Sequence, residues 1–192
     1  MITLTVNSTH FYLIECRSGM LLVDAGWELA RFTAQLKFHK APITDIKYVM
    51  FTHNHPDHAG LVQEIKELSG AKLIVHKVQL PFLDKGRTYS AELGSQKTIR
   101  VESGDLISPN RDVLQSIGIQ GEIVETPGHT EDSISLVLDQ GDAFIGDLPA
   151  PELTGEEQIE VVRASWRKLL ALNVRTFYHS HAGAIPANRI HI

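Results

Sequence analysis

At 192 residues, with 43% hydrophobic and 21% charged residues, the chain lies far from the low-hydrophobicity, high-charge composition that stays disordered. Folding at this length buries roughly 70% of the extended chain's surface, enough for a core without staples. A net charge of −5 repels phosphate backbones, so nucleic acid is not an expected partner.

The N-terminal Met1-Ile-Thr-Leu-Thr-Val has neither a basic head nor a long apolar run. No later run is long and apolar enough to span a bilayer, so the expectation is one domain over residues 1–192, cytoplasmic and away from membranes. Residues 2–6 alternate apolar and polar, and 10–16 and 20–24 read as two further strands joined by Arg17-Ser18-Gly19. Cys16 falls in the second of these, cannot pair internally, and reads as a small hydrophobe. Leu29, Phe32 and Leu36 set a helix that runs to about Lys40 and stops before Pro42. A buried strand over 46–52 runs directly into His53. Leu61, Ile65 and Leu68 then mark a helix with Gly70 as its C-terminal cap, followed by a short strand at 73–75.

From about Leu80 to Asn110 the pattern is irregular and glycine-punctuated, with at most a strand at Ile99–Val101; it reads as a loop or lid. Strands resume at 122–125, 133–138 and 142–146, the last two in a hairpin about Gln140-Gly141. Thr154 with Glu157 forms a capping box, and Ile159, Val162, Trp166 and Leu169 carry a helix to about Leu172. The basic residues Arg163, Arg167 and Lys168 on it, and Arg175 after it, read as a solvated face. A last strand, 175–178, delivers the chain to His179. The two halves match two sheets back to back with helices outside.

Ten histidines stand against eighteen Lys plus Arg. The segment His53-Asn54-His55-Pro56-Asp57-His58 carries a His-x-His-x-Asp-His pattern that arises by chance in roughly 0.001 of chains of this composition. Residues two apart on an extended loop point the same way, so His53 and His55 can chelate one metal while Asp57 and His58 turn toward a second. Two dications need more ligands than these four. Three later residues stand where a strand ends in a loop: His129 in Thr126-Pro-Gly-His-Thr130, Asp147 in Ile145-Gly-Asp-Leu148, and His181 in Tyr178-His-Ser-His-Ala182. His10, His39, His76 and His191 stand alone and are assigned no chemistry.

At these residues the sequence resembles the metallo-β-lactamase superfamily of hydrolases, in order along nearly the whole chain: Asp24-Ala-Gly26, His53 to Gly60, Pro127-Gly-His-Thr130, Gly146-Asp147 and His181. The resemblance implies an α/β (α+β) fold, an αββα four-layer sandwich with a binuclear metal centre at the sheet edge. By position, the first metal would take His53, His55 and His129; the second would take Asp57, His58 and His181, with Asp147 bridging both. The family often has Pro-Gly-His-Gly at the last ligand where this chain has His179-Ser-His181-Ala, so His179 competes with His181. Asp24 is implied to orient a ligating histidine from behind, with a plain turn-former as the alternative. Trp27 is a candidate for the pocket mouth or for core packing.

Between two metals, a bridging water is acidified toward hydroxide and becomes the nucleophile, with Asp57 as the candidate proton shuttle to the leaving group. The reaction expected is hydrolysis of an ester-like bond in a small molecule, thioesters and lactones first. Zinc is the first choice of metal, with manganese, iron and cobalt compatible with the same ligands. Two other readings are a mononuclear-iron persulfide dioxygenase-like oxidoreductase, whose iron takes two His and one Asp, and a binding module that retains metal without turnover. A flavodiiron oxidoreductase has Glu where this chain has His55; the helical C-terminal domain of glutathione-thioester hydrolases and the export signal of a β-lactamase are not expected here. A homodimer is favoured by base rate alone.

Overall fold

The computed structural model describes residues 1–84 and 97–192. One sheet holds six strands in the order β1 (Ile2–Val6), β2 (Thr9–Cys16), β3 (Gly19–Val23), β4 (Ile46–Met50), β5 (Lys72–Val75) and β6 (Leu106–Ile107). The other holds five, in the order β11 (Gly183–Pro186), β10 (Thr176–His179), β9 (Asp142–Gly146), β8 (Ile134–Leu138) and β7 (Gly121–Glu125). β1 to β3 form an antiparallel meander and β3 to β6 pair in parallel. In the second sheet β7, β8 and β9 are antiparallel, β10 is parallel to β9, and β11 folds back along β10.

Because successive strand residues point to opposite faces, each sheet feeds two cores. Phe11, Leu13, Leu22, Val49 and Leu73 face outward against Phe32 and Leu36 of α1 (Leu29–Phe38) and Val62 and Ile65 of α3 (Val62–Ser69). Their neighbours Tyr12, Ile14, Leu21, Val23, Met50 and Ile74 face inward and meet Ile134, Leu136, Leu138 and Phe144 of the second sheet. Val137, Ala143, Ile145 and Phe177 face the far side, covered by Val162, Trp166 and Leu169 of α5 (Ile159–Leu170). The layers are therefore helix, sheet, sheet, helix, as expected. No helix among the described residues is long and apolar enough to cross a membrane.

Several local expectations are corrected. The Thr154/Glu157 capping box does not start a helix: Thr154 Oγ1 donates to the Ala150 carbonyl at 2.9 Å within a short 3₁₀ turn, and α5 begins at Ile159. Ile99–Val101 is not a strand. Its backbone is held by side chains instead, with Lys66 Nζ donating to the Arg100 carbonyl (2.6 Å) and Gln63 Oε1 accepting the Arg100 N–H (3.0 Å). Within the lid expected over 80–110, residues 85–96 lie outside the described residues, while β6 occupies 106–107. The pattern leaves unassigned α2 (Pro56–Ala59), α4 (Arg111–Ser116) and β11. Each is too short to show a period. α4 rests on one buried anchor, Leu114, and on Asn110, whose side chain accepts the Val113 N–H at 3.0 Å.

Candidate metal centre

β4, β7, β9 and β10 all end at one rim of the sandwich, and the loops that follow them carry the expected side chains. Backbone hydrogen bonds knit those loops together: Ile134 N–H to the Thr52 carbonyl (2.9 Å), Ser180 N–H to Gly146 (3.0 Å), and Ala25 N–H to His58 (2.8 Å). Gly146 lies at φ +56°, and a Cβ there would come within 2.5 Å of Thr52 Oγ1. Only glycine lets the β9 end pass so close to the loop that starts the histidine motif. On the other side α5 holds two loops with adjacent residues: Ser165 Oγ donates to the Pro127 carbonyl (2.7 Å) and Trp166 Nε1 to the Pro149 carbonyl (2.8 Å).

Seven of the expected side chains meet in two groups, His53, His55 and His129, and then Asp57, His58, Asp147 and His181; within each, the donor atoms lie within 4.8 Å of one another. His55 Nδ1 is 3.0 Å from both His53 Nε2 and His129 Nε2. A neutral ring nitrogen has one proton or one lone pair to offer, so it cannot make two good hydrogen bonds to such neighbours. Three ring nitrogens facing one point suit a cation. Asp147 Oδ2 lies 3.2 Å from His58 Nε2 and His181 Nε2, 3.7 Å from His129 Nε2 and 3.9 Å from His53 Nε2, so one carboxylate oxygen is common to both groups. Asp57 Oδ2 is 3.4 Å from His58 Nε2 and 3.2 Å from His181 Nε2. Ligands bound to zinc at about 2.0–2.1 Å in a tetrahedron stand roughly 3.3 Å apart, close to these spacings. Asp147 Oδ1 is buried with no hydrogen-bond partner, an orphaned acceptor that also fits a cation.

Three of the histidines have their other ring nitrogen committed elsewhere. His53 Nδ1 lies 3.2 Å from Thr52 Oγ1, His58 Nδ1 lies 2.9 Å from Asp24 Oδ2, and His181 Nδ1 lies 2.9 Å from the Ser8 carbonyl. Each acceptor favours a proton on Nδ1, the arrangement in which Nε2 would be the donor to a cation in the cluster. Asp24 is fully buried at φ +63° and also accepts the Thr52 N–H (2.7 Å) and hydroxyl (3.0 Å) and the Ser180 hydroxyl (3.3 Å). Burial, reinforced by the neighbouring imidazoles, holds His53 well below the ordinary histidine value and so neutral. Burial also pushes His58 down, but Asp24, Asp147 and Asp57 overcome it and raise its pKa well above 6.5. Asp57 has its burial outweighed by the His58 hydrogen bond and sits at about 2. Burial lowers His129.

His181 belongs to the second group and His179 does not: His179 Nδ1 accepts the His181 backbone N–H at 3.0 Å. Trp27 is half-buried beside a small recess that it shares with Thr9 and Asp57. His10 pairs with Thr5 Oγ1 at 2.9 Å. The sequence reading missed Thr52, Ser180, Ser165 and Asp132, which is buried and accepts the Asn54 N–H at 2.9 Å within the motif loop. Nothing in their local patterns marks them, because their partners lie on other loops.

The family model of the metallo-beta-lactamase superfamily matches residues 4–181. The chain belongs to this superfamily. Among its superfamily relatives is the beta-lactamase-like protein 2 homolog of Drosophila melanogaster, 26% identical over 189 residues covering 95% of this chain and 61% of that protein. Another is the atrochrysone carboxyl ACP thioesterase of Aspergillus fumigatus, 28% identical over 193 residues covering 94% of this chain and 52% of that protein. The chain thus spans about three fifths of the length of the first curated relatives it matches. The solved structure of TTHA1623 in a di-iron-bound form has a similar fold, with a TM-score of 0.75 at 19% identity, covering 98% of this chain and 96% of that one.

Proposed function

We propose that this superfamily member is a metal-dependent hydrolase whose residues 1–192 act as one unit, holding two divalent cations, zinc first, and cleaving an ester-like bond, thioester or lactone, of a small molecule. The observation that carries the reading is the placement of Asp147 Oδ2 between two donor groups, 3.2 to 3.9 Å from four imidazole nitrogens. His53, His55 and His129 would hold one cation; Asp57, His58 and His181 would hold the other, with Asp147 common to both. Imidazole and carboxylate donors suit zinc, and the di-iron-bound relative keeps iron in view. Cations bound there would supply Lewis acidity for a carbonyl oxygen and lower the pKa of a water toward neutrality.

The chain's own residues do the rest. Thr52, Asp24 and the Ser8 carbonyl each offer an acceptor to Nδ1, which orients three imidazoles so that Nε2 would take the cation. Asp57, ionised at neutral pH, accepts a proton before it can deliver one to the leaving group, which is the order a hydrolysis needs. A thioester is favoured over other acyl bonds by the relative named as a thioesterase. The test is metal quantification beside a panel of thioesters, lactones, phosphodiesters and β-lactams. Two metals per chain, with thioester or lactone turnover abolished by chelation and restored by zinc, is the expected result. Turnover indifferent to chelator refutes the proposal; one iron per chain redirects it to the dioxygenase-like chemistry, and a fully metallated chain silent on every substrate redirects it to a binding module.

A further inference from the structure

The turn between β1 and β2, residues 7 and 8, and the Thr9 that opens β2 attract no attention in the sequence, yet they reach over one half of the cluster. The Ser8 carbonyl lies 2.9 Å from His181 Nδ1, and Thr9 Oγ1, on a residue only 2% exposed, donates to Asp57 Oδ2 at 3.3 Å. Just beyond, the His10 N–H donates to the Ser180 carbonyl (2.7 Å) and the Tyr12 hydroxyl to the His179 carbonyl (3.2 Å). Four contacts made by residues 8 to 12 thus bear on Asp57 or on the loop of His181. The first group is supported by other parts: Thr52 behind His53, Asp132 on the Asn54 N–H, and Ser165 on the loop of His129.

The tip of this turn is fastened. Asn7 takes the left-handed conformation (φ +54°), which asparagine tolerates better than most residues. Its amide donates to Glu28 Oε1 at 2.6 Å and accepts from Arg31 Nη1, while Arg31 Nε pairs with Glu28 Oε2 at 2.9 Å. Both partners belong to the first turn of α1 and its flank. An exposed ion pair of this kind contributes little to global stability, so its value lies in where it holds the turn.

We propose that the β1–β2 turn is a positioning arm for one of the two cation sites: Ser8 and Thr9 orient His181 and Asp57, and the Asn7, Glu28 and Arg31 clasp fixes the arm. The inference rests on the two-cation reading above. Removing a hydrogen-bond partner behind a metal ligand typically weakens metal affinity about 10- to 100-fold. The arm touches only one donor group, so the loss falls on one equivalent of metal and spares the other.

The experiment is titration of the metal-free full chain with Zn²⁺ against a chromophoric chelator, for wild type, Thr9→Val, Thr9→Ser and Arg31→Met. In Thr9→Val and Arg31→Met, one of two zinc equivalents is expected to weaken tenfold or more while the other stays within twofold, and Thr9→Ser restores wild-type binding of both. The unaffected equivalent reports that each variant is folded. Either Thr9→Val or Arg31→Met leaving both equivalents unchanged, or weakening both alike, overturns the arm, as does failure of Thr9→Ser to restore. A wild-type chain that holds fewer than two equivalents refutes the two-cation reading itself, and the arm with it.

Discussion

Asp24→Asn tests whether the buried carboxylate sets the protonation of His58. Asparagine keeps the size and tolerates the φ of +63°, so the backbone has no reason to move. It replaces one of two acceptor oxygens with a donor, and the oxygens now receive the Thr52 N–H at 2.7 Å and the His58 Nδ1–H at 2.9 Å. If the amide oxygen keeps Thr52, the amide NH₂ faces His58 Nδ1 and drives its proton to Nε2, where the cation must bind. Loss of that orienting partner should weaken zinc about 10- to 100-fold, or about 1.4–2.8 kcal/mol. Because bound metal stabilises the fold by its affinity, the same amount vanishes from the zinc-induced rise in Tm. For a chain of this length about 2–4 °C accompanies each kcal/mol, so the rise should shrink by about 3–11 °C at equal free zinc. The metal-free variant loses about 1–3 kcal/mol separately, from the mispaired buried donor. Thermal melts with and without zinc separate the two effects. A variant whose zinc-induced shift equals that of wild type refutes the role given to Asp24.

Three further outcomes follow from the same geometry. Asp24, Asp147 and Asp57 outweigh burial and raise His58 well above the ordinary histidine value, which favours a proton that a cation must displace; zinc uptake should release a proton, seen as a buffer-dependent binding heat, and affinity should rise with pH. In the metal-free chain the sign divides by group: the raised His58 stabilises the fold below 6.5 and that contribution is lost as pH rises through its raised value, whereas Asp57, at about 2 against 3.8, stabilises above 3.8 and loses its contribution as pH falls toward 2. Gly146→Ala places a Cβ 2.5 Å from Thr52 Oγ1 in a left-handed conformation; strain of about 1–2 kcal/mol plus the displaced Thr52 should lower stability in a urea titration and weaken both zinc equivalents, and a variant with unaltered metal binding would show that the close approach is incidental.

The fold was legible where burial imposes a period. β2 alternates Phe11 and Leu13 with Tyr12 and Ile14, and the structure sends the two pairs to different cores. The site was legible because His53 to His58 packs four donors into six positions, and because His129, Asp147 and His181 each follow a strand. What escaped are devices with no local signature: Thr52 is one threonine at a strand end until Asp24, 28 residues away, is placed against it. The false capping box fails for the same reason. Thr154 and Glu157 have the right spacing, but the Ala150 carbonyl is closer at hand than a helix start.

The donor groups also divide across the molecule. His53, His55, Asp57 and His58 follow β4 of the first sheet, while His129, Asp147 and His181 follow β7, β9 and β10 of the second. Neither sheet alone completes either group, so a cation in either site would tie one half of the sandwich to the other. The halves are also joined by rim hydrogen bonds such as Ile134 N–H to the Thr52 carbonyl, and by the apolar layer in which Tyr12 meets Phe144 at 4.9 Å between ring centroids. Metal-binding energy at the rim and hydrophobic burial in that layer therefore act on the same separation of sheets. A substitution that loosens the layer, far from any ligand, should weaken metal binding by opening the rim, and bound zinc should in turn protect amides of β8 and β9 from hydrogen exchange. Zinc that protects only the ligand loops would mean that the rim and the layer move independently.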